Sequence, residues 1–100
     1  MRKQPETLRL DCDVILERNP EGGYARRGVG ALATPSLSEV VSRARVILKR
    51  TRDDLAVIDH SLAQKASAAK RDLYLDKRKR RQDAERFLAD FLGWAARTTV

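Results

Sequence analysis

Apolar residues recur along this chain in two periods, and the change of period marks a change of architecture. Between Leu8 and Val14 the period is two: Leu8, Leu10, Cys12 and Val14 share one side, while Arg9, Asp11 and Asp13 share the other. Such alternation predicts a strand with one buried face. Asn19-Pro20-Glu21-Gly22-Gly23 then concentrates turn formers, because Pro presets φ and Gly accepts positive φ. Tyr24 to Leu32 returns as a second strand, loosened by Gly28 and Gly30. The expectation is a β-hairpin, roughly 8–18 with 23–32. A lone hairpin is marginal in water, so it should pack on a helix or gain strands from another chain.

Beyond Thr34-Pro35 the period lengthens. Leu37, Val41, Ala44, Leu48, Thr51, Leu55, Ile58 and Leu62 recur at four- and three-residue steps, and Val40 and Ile47 widen the stripe. From Ser36 to Leu92 the chain runs 57 residues without Gly or Pro, the residues most costly inside a helix. Ser36-Leu37-Ser38-Glu39 matches a capping box, in which Ser36 accepts from a free amide and Glu39 reaches back to the amide of Ser36. Two readings fit the body. One is a helical hairpin bent near 59–61, where Ser61-Leu62-Ala63-Gln64 offers a second capping box; the other is one long helix, straight or bent. The hairpin buries more apolar surface and is preferred. Between Leu75 and Ala84 no residue is apolar, so that stretch faces solvent or a charged partner. The stripe resumes with Ala84, Phe87, Leu88, Phe91, Leu92 and Ala95, beside Trp94, and Gly93 is the expected helix stop.

The fold class is therefore α+β: an N-terminal β-hairpin followed by two long α-helices. One hundred residues make a single small domain, with a hairpin head over 1–35 and a basic helical body over 36–100. A core of that size leaves little room for an enzyme cavity. Part of the helical stripe should need a partner or a second copy. The formal charge is +7, of which residues 36–92 supply +5. A cationic surface favours acidic proteins, nucleic acid or anionic membrane. The single cysteine, Cys12, forms no internal disulfide, and no apolar run suits a signal peptide or a membrane span. A cytoplasmic protein is expected.

Catalytic chemistry finds little support. His60 is the sole histidine, and neighbouring Asp59 does not face it on a helix. Asp11 and Asp13 could hold a divalent ion only with further ligands, and a solvated strand face explains them better. No CxxC, HExxH or Walker pattern occurs, and Gly28-Val29-Gly30 lacks the third glycine of a dinucleotide motif. The expectation is a non-enzymatic binding protein without metal or cofactor. Its candidate partner-binding residues are Arg43, Arg50, Lys70, Arg71, Lys77, Arg78, Lys79, Arg80 and Arg81, with Phe87, Phe91 and Trp94 as apolar anchors. Lys65 belongs to the same basic stretch. The favoured partner is a nucleoprotein complex or an acidic protein surface. DNA or RNA phosphates are the alternative, and a purely solvated helix face is the reading against both. A membrane-surface role for FLADFLGWAA is disfavoured by Asp90 and by the orderly spacing.

Two resemblances add to this. Residues 33–63, through Ala33-Thr34-Pro35, Glu39, Ala44, Leu48, Arg52, Asp54, Leu55, Ile58 and Ala63, are similar to part of certain small phage-encoded anti-CRISPR proteins. That resemblance implies an inhibitor that blocks a CRISPR surveillance complex by protein–protein contact. Val14-Ile15-Leu16-Glu17-Arg18-Asn19-Pro20-Glu21-Gly22-Gly23-Tyr24, followed by a Ser-Leu-Ser-Glu helix start, resembles the opening of HicB-type antitoxins. Those use a strand, a GGY-like turn, a second strand and a helix, and the resemblance implies an antitoxin.

Overall fold

A computed structural model describes residues 7–10, 14–28, 35–64 and 67–98. Strands β1 (Thr7–Arg9), β2 (Val14–Arg18) and β3 (Tyr24–Gly28) precede helices α1 (Leu37–Ala63) and α2 (Ala68–Thr98). The α+β architecture expected from the periodicity is present, with a head of three strands rather than two.

The extra strand corrects the expected single run over 8–18. Leu10 N–H donates to the Val14 carbonyl at 2.8 Å, closing a reversal between them. β1 then lies antiparallel on β2, with Leu8 opposite Leu16 and Arg9 opposite Ile15. Cross-strand partners share a face of a sheet. Every partner pair here joins two even or two odd positions, so the alternation passes through the reversal without changing phase. A period-two reading cannot see such a turn. Asp11, Cys12 and Asp13 lie outside the described residues, as do residues 29–32 of the expected second strand and Lys65.

The second turn matches its expectation. Gly22 and Gly23 take φ of +99° and +83°, and Asn19 N–H donates to the Gly23 carbonyl at 3.0 Å. At Gly23 the reason for glycine is double, since a Cβ there would stand 3.1 Å from Trp94 Nε1. Even-numbered positions face the helices: Leu10, Val14 and Leu16 are buried, and Tyr24 meets Phe87 and Phe91 edge-on at 5.6 and 5.5 Å between ring centroids. Arg18 shares that face and lays its guanidinium over the Tyr24 and Phe87 rings while pairing with Asp90 at 3.2 Å.

Ser36 caps α1, its Oγ accepting from Glu39 N–H at 3.2 Å. The Glu39 carboxylate pairs with Arg43 at 3.0 Å, one turn on. The helical body is two helices, but α1 runs through the expected bend at 59–61 to Ala63, and α2 starts at Ala68. Gln64 turns extended, with φ −87° and ψ 161°, and Ser67 Oγ accepts from Lys70 N–H at 3.3 Å to start α2. The second capping box at Ser61 is therefore unused. α2 also runs past Gly93 to Thr98. Gly93 sits among Leu92, Trp94 and Ala95, whose packing against the core outweighs the roughly 1 kcal/mol helix penalty of one glycine.

The core joins the inner sheet face to the N-terminal half of α1 (Val40, Ala44, Leu48) and the C-terminal half of α2 (Phe87, Leu88, Phe91). Among the described residues the remaining halves of the helices pack on each other as a two-helix arm, in a molecule 46 Å long and 30 Å across.

Candidate partner-binding groove

The arm begins where the sheet stops covering the helices. From Thr51 onward α1 keeps its stripe, with Thr51 and Ile58 buried and Leu55 and Leu62 partly covered. The opposing stretch of α2 has no comparable stripe, because Asp76 to Asp83 contains no apolar residue. Charge takes over part of the seam. Ion pairs cross between the helices, among them Arg52–Glu85 at 3.3 Å, Asp54–Arg81 at 3.6 Å and Asp59–Arg78 at 2.6 Å. Each is substantially solvated, so each contributes little by itself.

Beside the Asp54–Arg81 pair lies a groove of about 460 Å³, lined by Asp54, Val57, Ile58, Lys77, Arg80 and Arg81. Ile58 and Val57 give it apolar surface, and Val57 is 65% exposed. Lys77 and Arg80 stand on the α2 side. Arg80 also pairs with Asp76 one turn back, at 2.8 Å. Leu73, 52% exposed, precedes Lys77 by four residues and so extends the same face toward the free end of the arm. Leu75, two residues further, falls on the opposite side of α2.

The structure sorts the basic stretch into two groups. Arg78, Arg80 and Arg81 are engaged with carboxylates. Lys70, Arg71, Lys77 and Lys79 are exposed, and no ion pair among the described residues holds them. Arg43 is tied to Glu39, and Arg50 borders a shallow concavity with Ser42, Val46 and Ile47 on another side of α1. Thus Lys77, Arg80 and Arg81 converge on one groove, while Arg43 and Arg50 belong elsewhere.

Phe87 and Phe91 need correcting. Both are 1% exposed and fully committed to the chain's own core, so neither is available as an anchor for a partner. Trp94 is partly exposed and packs on Gly23 and Tyr24 at the hairpin turn, remote in sequence register from the arm. Among the described residues the exposed large apolar side chains are Val46, Val57, Leu73 and Leu75, none of them an expected contact, and of these Val57 and Leu73 lie on the groove side of the arm. Val57 could have been noticed as a valine off the stripe, and Leu73 as an apolar residue within a basic stretch.

His60 Nε2 lies 3.0 Å from Gln64 Nε2 at the end of α1, a local contact at the helix terminus. Among the described residues no group of three His, Cys, Asp or Glu side chains converges as a metal site, and no helix is long and apolar enough to cross a membrane. Comparison of the chain with protein-family models, curated proteins and solved structures returns no match.

Proposed function

We propose that this is a non-enzymatic binding protein, acting in the cytoplasm, whose helical arm docks on an acidic protein surface, either free or within a nucleoprotein assembly. One observation carries the reading. Exposed Val57 lines a groove with Lys77, which no ion pair among the described residues holds, and exposed Leu73 lies one helical turn before Lys77. Cations next to apolar surface suit a protein interface, which buries apolar groups at its centre and steers through charge at its rim. A narrower form, inhibition of a nucleoprotein machine in the anti-CRISPR manner, draws its support from the resemblance over residues 33–63.

The test is capture of interacting molecules from the native host, with and without nuclease. The chain is compared with a variant carrying Lys70→Glu, Arg71→Glu, Lys77→Glu and Lys79→Glu. A partner retained by the parent after nuclease treatment and lost by the variant, at unchanged helicity, is the expected result. Equal recovery on both would remove the reading. A second reading, phosphate contact with DNA or RNA, is favoured by the four exposed lysines and arginines just named. It requires binding to a random duplex whose affinity falls steeply with salt.

A further inference from the structure

Resting on that reading, we propose that the arm groove is a seat for an acidic amphipathic helix, which lies along the α1–α2 seam and supplies the layer that the sheet supplies nearer the head. In the core half of the molecule, two helices and a sheet enclose the apolar stripe. In the arm the same seam continues through Ile58, already buried between the helices, to Val57, which stands exposed at the groove among the described residues. Thirteen residues of α1, Thr51 to Ala63, span about 20 Å, which matches roughly four turns of a third helix. Such a helix would place apolar residues at i, i+3, i+4 and i+7 over Val57, Ile58 and Leu73.

Charge selects the sign of its flanks. Lys77 and Arg80 face the groove from α2, and Lys70 and Arg71 lie in the first turn of the same helix. Residues 51–82 carry nine Lys or Arg against five Asp, a balance of +4. Carboxylates on the incoming helix would complement that excess. A second copy of this chain would bring +4 against +4 and is disfavoured for that reason. Nucleic acid is disfavoured too, because Val57 and Ile58 give the groove apolar surface that a phosphate backbone cannot cover.

The test uses the full chain and a fluorescein-labelled synthetic helix of about 16 residues, about 24 Å long, with Leu at i, i+3, i+4 and i+7 and Glu on both flanks. Its counterpart replaces every Glu by Lys. Anisotropy titration is expected to give affinity at least about tenfold tighter for the Glu helix. Amide chemical shifts should move at residues 54–58 and 73–81. Lys77→Glu with Arg80→Glu should weaken binding about tenfold or more, and Val57→Ser with Leu73→Ser several-fold. Because Val57 and Leu73 are exposed, the serine pair tests the groove without threatening the fold. Equal affinity for the two peptides, shifts confined to the sheet, or indifference to the serine pair would overturn the inference. A random DNA duplex that moves the same amides more tightly than the Glu helix would overturn it as well. If the Glu helix fails while the fourfold Lys/Arg→Glu variant still loses its native partner, only the groove inference falls. If that variant keeps every partner, the arm reading falls with it.

Discussion

The two ends of the helical hairpin are built by different rules. Near the head, α1 and α2 share the inner sheet face, and aromatic rings from β3 and α2 interlock at 5.5–6.0 Å. Toward the free end the same two helices meet across a thin apolar seam bridged by solvated ion pairs. Near the head the largest side chains turn inward, although Val46 stays exposed, whereas toward the free end Val57, Leu73 and Leu75 are all left outside. Stability should therefore concentrate at the head. Adaptability should concentrate in the arm, where opening is less costly and amides should exchange sooner.

Substitutions can break or sharpen that contrast. The largest loss is expected from Phe87→Ala, which empties the aromatic cluster and should cost about 3–5 kcal/mol in urea unfolding. A loss under 1 kcal/mol there would mean that the head is not the stable end. Gly23→Ala forces a side chain into φ +83° against Trp94, for about 1–3 kcal/mol in the same measurement. Gly93→Ala should act in reverse and raise the thermal midpoint by the equivalent of about 0.5–1 kcal/mol. Its φ is not positive, and a Cβ would meet only the Arg97 guanidinium, at 3.5 Å. Least of all should follow from Asp54→Asn with Asp59→Asn, which removes two bridges of the arm. About 1 kcal/mol is the ceiling, shrinking as salt is added. A larger, salt-insensitive loss would show that charge, rather than Ile58 and its neighbours, holds the arm together.

What could be read from the residues follows the range of the forces involved. The start of α1 was legible because Ser36 acts on an amide three residues away, and the Gly22-Gly23 turn because backbone geometry is local. The reversal after Leu10 was hidden, since even-to-even pairing leaves the alternation undisturbed. Ser61 offered a helix start that the chain does not use, since α2 starts from Ser67, a serine that no capping-box pattern marked. The basic stretch was legible as surface. Its division was not, because Arg78 and Arg81 find Asp59 and Asp54 across the hairpin, 19 and 27 residues away in the chain. Phe87 and Phe91 read as partner anchors for a related reason. An apolar helix face has the same periodicity whether its neighbour is the chain's own sheet or another protein.

The outer strands of the sheet carry a consequence of their own. Among the described residues β1 offers three for pairing, and β3 sets Arg26 and Arg27 near the middle of its length, the one bonded to the Pro35 carbonyl and the other to Glu17. Short or charged borders make poor templates for an additional strand. Crowded copies of this molecule should therefore resist fibre growth by strand addition at these borders of the head.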